Sequence, residues 1–155
     1  MTLVILLDQL SRNINRGSSA AWTFTVSDPV ALHVIHHCLR QDFDNSLPIQ
    51  KKMWFYLALS HSESMADQEM SVAKTATLAH ELRWCNWKKW HGFFEDLLRY
   101  SIKCFTIVDQ FGRFPQRNAI LERETSQAEG AFLKEGGAKA IGATGSVFDE
   151  RTYLL

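Results

Sequence analysis

The sequence predicts an all-helical fold built from antiparallel helical hairpins. Apolar residues recur at three- and four-residue intervals nearly throughout. Strict alternation over a strand's length is hard to find, and the helix-start and helix-stop signals are spaced for short loops. The simplest architecture is a tetratricopeptide-like bundle or short solenoid, with residues 1–135 as one domain and 136–155 as a loosely held tail.

In the first segment, Leu3, Leu6, Leu7, Leu10 and Ile14 share one face. Asp8, Arg12 and Arg16 follow at four-residue steps on the other, and Gly17 supplies a stop. Asp28-Pro29 reads as an N-cap followed by a first-turn proline, opening a helix to about Gln41 with Val30, Ala31, Val34, Ile35, Cys38 and Leu39 as its stripe. Beyond Pro48, Met53 to Leu59 is apolar all round, which marks a deeply enclosed helix. A fourth helix, from Met65 to about Leu82, carries a stripe of small residues: Val72, Ala73, Ala76 and Ala79. The fifth, about Gly92 to Gly112, points Phe94, Leu97, Leu98, Ile102, Phe105 and Val108 inward, and Pro115 prevents its continuation. Ser126-Gln127-Ala128-Glu129 has the form of a capping box before Ala131, Phe132 and Leu133. The last stretch holds four of the eight glycines and no sustained period.

Charge narrows the function classes. Seventeen basic and seventeen acidic side chains balance, so the chain has no general attraction for nucleic acid or anionic lipid. No apolar run approaches a membrane span, and Leu3 to Leu7 lacks the flanks of a signal peptide. Three widely spaced cysteines argue against a disulfide framework or a zinc site and fit a reducing cytosol. No cofactor or metal is expected. His33, His36 and His37 read as a solvated helix face. Trp84, Trp87 and Trp90 with their basic neighbours read as interhelical packing rather than a base-stacking platform.

The most informative local pattern is an echo. Asp8-Gln9-Leu10-Ser11-Arg12 returns as Asp109-Gln110-Phe111-Gly112-Arg113, each placing a carboxylate and a guanidinium four residues apart. Asn13 and Arg16 follow the first, Arg117 and Asn118 the second. Such pairs are surface ion pairs, or carboxylates that orient arginine forks toward an anion. His61-Ser62-Glu63, ending the most apolar helix, sets an imidazole near a carboxylate, either as acid–base chemistry or as an ordinary helix end.

These segments together carry a resemblance. Leu6-Leu7-Asp8-Gln9 with Arg12-Asn13-Ile14 and Arg16-Gly17; Tyr56-Leu57 with His61-Ser62-Glu63 and Gln68; and Phe111-Gly112-Arg113-Phe114-Pro115 with Arg117-Asn118-Ala119-Ile120-Leu121 and Arg123 resemble the family called domain of unknown function 924. The resemblance implies an all-helical, tetratricopeptide-like fold. It also implies further helices before Leu3, so this chain is expected to lack the family's N-terminal part, and some partner for the apolar face of its first helix is expected to be missing. The chain departs from the family at Leu10 and Ser11, where Phe-Pro is usual, and at Ala58, usually proline. Cys104 and Gln116 stand where histidines are usual, and Glu122 where a glycine is.

Three readings stay open. The first is a non-catalytic binding or scaffold module with a groove for an anionic small molecule or acidic peptide. Its lining residues would be Asp8, Gln9, Arg12, Asn13, Arg16, His61, Glu63, Asp109, Arg113, Arg117, Asn118 and Arg123, and the exposed apolar face of the first helix would allow self-association. The second is a hydrolase-like enzyme using His61 and Glu63. In the third, the polar motifs only fix helix register and function resides elsewhere.

Overall fold

A computed structural model describes residues 1–83 and 88–137, and every regular element among them is helical. The tail after 137 and the tryptophan segment 84–87 lie outside the described residues. Thr2–Ile5, Leu6–Leu10 and Ser11–Ile14 run together as α1, the middle piece being a π turn. After a 3₁₀ turn at Gly17–Ser19, Ala20–Trp22, Thr23–Ser27 and Asp28–Arg40 form α2, again with a central π turn. Then follow α3 (Ile49–Leu59), α4 (Met65–Arg83), α5 (Lys88–Phe111), a 3₁₀ turn at Pro115–Arg117 and α6 (Gln127–Lys134).

Successive helices pack as hairpins, α3 on α4 and α4 on α5, with α1 and α2 paired and set against α3. The bundle closes on one core, in which Ile35, Phe55, Leu57, Leu59, Leu78, Leu82, Phe94, Leu97, Val108 and Phe114 are fully enclosed. No helix of the described residues is long and apolar enough to cross a membrane.

The helices depart from the sequence-based expectations at several points. Helix α2 starts at Ala20, not Asp28, and runs through Pro29 unbroken. Proline has no N–H for the turn behind it, and the π turn at Thr23–Ser27 widens the ladder at that point. Of the α2 stripe, Ala31 and Ile35 are buried, while Val30 lies exposed. Helix α4 turns inward Gln68, Ser71, Thr75, Leu78 and Leu82, and Ala73 faces out. The reason is polar: Gln68 donates to the carbonyls of Ser60 and Ser62, and Ser71 meets the Ser60 and Ser101 hydroxyls where α3, α4 and α5 cross. Ile102 of α5 is likewise exposed.

In α1 the stripe residues Leu3, Leu6, Leu10 and Ile14 face solvent, as expected of a face without its partner, and Leu7 is half-buried, whereas Asp8, Ser11 and Arg12 are buried. Ser11 bonds Thr23 and Ser27 at 2.9 Å, which fastens the two π-turn helices to each other.

The capping box of α6 forms as expected, with Ser126 Oγ accepting from the Glu129 N–H and Glu129 accepting from the Ser126 N–H. Ahead of it the chain turns through Glu122 at φ +52°, in the left-handed region where glycine is strain-free. Glu122 is solvent-exposed, so Glu122→Gly should remove that strain without removing packing. The expected gain is about 0.5–1 kcal/mol after the entropy cost of glycine, read as a higher urea midpoint at unchanged slope.

Candidate functional site

The acid–base residues of the first echo meet inside the bundle. Arg12 bridges Asp8 on its own helix (Nε to Oδ1, 3.2 Å) and Asp28 on α2 (NH2 to Oδ1, 2.7 Å). His61 Nδ1 lies 2.7 Å from Asp8 Oδ1, and Gln9 adds a further donor to that carboxylate. From the other end of the chain Arg117 enters the same space, donating to the His61 carbonyl at 2.7 Å with its NH1 3.9 Å from Asp28 Oδ2. Its guanidinium lies between the rings of Phe24 and Phe114, 4.5 and 4.6 Å from their centroids. Phe24 also faces Arg12 at 5.9 Å. Asp8, Arg12, Asp28, His61 and Arg117 are all buried.

The arrangement fixes its protonation. Burial alone would raise the Asp8 carboxyl, but His61, Arg12 and the hydrogen bonds of His61 and Gln9 hold it well below the ordinary carboxylate range. Burial and then Arg12 push the His61 imidazole below 6.5, against the pull of Asp8 and Asp28. Arg117 is lowered to about 10, by burial first and Arg12 second, and stays charged at neutral pH. Two carboxylates therefore face two guanidiniums around a neutral imidazole. An ionised Asp8 requires the proton on His61 Nδ1, which makes Nε2 an acceptor. That Nε2 and Asp28 Oδ2 are buried without a hydrogen bond, the latter facing Arg117 NH1 at 3.9 Å.

The second echo behaves differently. Helix α5 ends at Phe111, and Gly112 at φ +69° turns the chain, so the four-residue spacing of Asp109 and Arg113 no longer aligns them. Asp109 stays exposed on α5. Arg113 instead takes Glu129 of α6 (2.7 and 3.0 Å) and the Glu124 carbonyl. Glu63 does not meet His61 through its side chain: it accepts from the Phe114 N–H at 2.8 Å and forms a fork with Arg123 at 2.8 and 3.0 Å. Burial would raise Glu63, and Arg123 with the Phe114 N–H keeps it low. Asn118 is buried near Thr125, and Arg16 is exposed, donating to Asn13.

Thus Asp8, Gln9, Arg12, His61 and Arg117 converge, Glu63 and Arg123 brace the neighbouring turn, and Asn13, Arg16 and Asp109 stand apart. Sequence reasoning missed Asp28, read only as a helix cap, and Phe24, which has no periodic signature. It also saw in Glu129 a cap and not an arginine partner. Of the histidine cluster, His36 pairs with Asp67 at 2.9 Å, and His33 and His37 face solvent. Near the cluster, Cys104 is pushed up to about 12 by burial.

Fold and site together define an all-helical bundle with an internal acid–base brace. The chain belongs to the family described as bacterial protein of unknown function (DUF924), whose model matches residues 1–137. A solved structure of a protein of unknown function from Agrobacterium tumefaciens is similar at 31% identity and TM-score 0.67, covering 86% of this chain and 65% of that one. The chain therefore spans less than two thirds of that relative's length. Among curated proteins none matches.

Removing one partner of a buried ion pair strands the other, so Asp8→Ala should cost about 3–5 kcal/mol in urea unfolding. Stability should also fall with acid. His61 binds its proton more weakly folded than unfolded, so its contribution is complete above 6.5 and declines as pH drops below that value. The lowered Asp8 adds a second decline once pH falls below its ordinary 3.8. His61→Gln should abolish the first decline and keep the second, read from urea midpoints across pH.

Proposed function

We propose that the chain is a non-catalytic helical scaffold that self-associates through the apolar face of α1 and α2, with its signature polar residues serving as the internal brace. One observation carries the reading. Leu3, Leu6, Leu10, Ile14, Trp22, Val26 and Val30 are 37–69% exposed on two paired helices, while Asp8, Ser11, Arg12, Thr23, Ser27 and Asp28 of those same helices are buried. Apolar residues exposed singly are ordinary, but two stripes on adjacent helices mark an interaction surface.

A second copy of the chain is the occupant that the stripes favour. The α1 stripe carries no charge, so two copies can oppose it about a twofold axis without burying an unpaired ion. Antiparallel hairpins of the tetratricopeptide-like kind present such faces along their length. An anionic ligand or acidic peptide has weaker support here. It would have to displace Asp8, Asp28, Glu63 or Glu129 from Arg12, Arg117, Arg123 and Arg113. Of the candidate-site arginines, Arg16 is the exposed one, and it donates to Asn13. The reducing cytosol suits the free thiols of Cys38 and Cys104.

Light scattering after gel filtration should give a dimer for the wild-type chain. Leu6→Glu and Ile14→Glu, both at exposed positions, should each raise its dissociation constant by at least about tenfold at unchanged melting temperature. A wild-type monomer at every concentration reached would overturn the reading.

A further inference from the structure

The exposed stripe of α2 continues past Val30. Helical spacing carries it to His33 and His37, three and seven residues further on, and both face solvent. The Thr2–Ile5 end of α1 packs against this half of α2 and the Ser11–Ile14 end against Thr23–Ser27, so the two helices run side by side in opposite directions. We infer that His33 and His37 are part of the self-association surface and gate it: copies of the chain hold together while these imidazoles are neutral and separate when they gain protons. This rests on the self-association proposed above and adds its control.

The reason is the sign of charge that this surface lacks. A neutral imidazole has an apolar body and a polar tip, which an interface accommodates, whereas an imidazolium taken out of water needs a counter-ion. Asp8 and Asp28 are the acidic residues among residues 1–41, and both are buried against Arg12. The same stretch exposes two arginines, Arg16 and Arg40. A twofold contact sets a surface patch against its own copy, so protonated stripes bring like charges together.

The elements packed around α2 do not supply the missing carboxylate. From α3 come Lys51 and Lys52, and that helix holds no acidic residue. Asp44, in the turn after α2, is buried and holds Tyr56 and Lys74. Asp67 of α4 holds Ser62 and also His36, whose Nε2 lies 2.9 Å away, so a proton on His36 is met within one copy. Arg117 is committed to the brace, and the Met1 amino group ahead of α1 is basic. Asp42 is exposed in the turn past Arg40, beyond the end of the stripe, where water and salt screen it. The associated form therefore binds protons at His33 and His37 more weakly than the separate chain does. Association is complete above the ordinary imidazole value of about 6.5 and declines as pH falls below it.

Sedimentation equilibrium of the intact chain at about pH 7.5 and about pH 5.5 gives the two dissociation constants, with circular dichroism reporting the helices at each. The constant should rise at least about tenfold at the lower pH. In His33→Gln/His37→Gln, changed at two exposed positions, the ratio of the two constants should fall to about one, whatever the value at neutral pH. Where that variant associates too weakly to measure, His33→Gln and His37→Gln alone are judged by the same ratio, which each should lower. His36→Gln should keep the full rise. If acid reduces the helical signal of the wild type, the comparison is made in the His61→Gln background, which lacks the brace's own response near neutral pH. A dimer whose constant ignores pH, or a double variant that keeps the whole rise, would overturn the gate and leave self-association standing. A wild-type monomer at both pH values would overturn the two together.

Discussion

A buried guanidinium must keep its counter-ion, and here that requirement joins segments distant in sequence. Arg12 holds Asp8 and Asp28, and Arg117 reaches Asp28 and the His61 carbonyl, so α1, α2, the turn after α3 and the turn after α5 share one cluster. Hydrophobic burial compacts such a bundle but does not by itself choose between neighbouring helix registers. A set of ions does choose, because a shift of one helical turn would strand a charge in low dielectric. The Glu63–Arg123 and Arg113–Glu129 pairs extend the same logic to α6.

That constraint explains the inverted first helix. Helix α1 must present Asp8 and Arg12 to Asp28 and His61, which turns its leucine stripe outward. The energetic consequence is an exposed apolar surface held in place by buried electrostatics on the opposite face of the same helix. Asp8 lies within the π turn of α1, and Thr23 and Ser27 lie within that of α2, all three buried.

How much of this was legible in the sequence depends on the element. The enclosed α3, the α5 stop at Gly112 and the α6 capping box follow from apolar density, backbone freedom and side-chain reach, all of which are local. The Asp8–Arg12 pair was readable from its spacing, and its echo at Asp109 was not a pair because the helix ends between the two residues. The exposed leucine face of α1 was foreshadowed by the partner that the family resemblance implies, but the burial of its polar face was not, since the hydrophobic period alone is the same for an inward and an outward stripe. Asp28 carries the signature of a helix cap, and only the continuation of α2 past it reveals a counter-ion. The left-handed Glu122 was foreshadowed by the glycine that its family resemblance places there.

Amide hydrogen exchange in Asp28→Ala, compared with the wild type, tests the central claim most directly. Loss of the shared counter-ion should lower protection in α1 and in residues 114–121 together, although they lie at opposite ends of the chain, while α3 and α4 keep theirs. Loosening confined to α2, or spread evenly over every helix, would contradict the account.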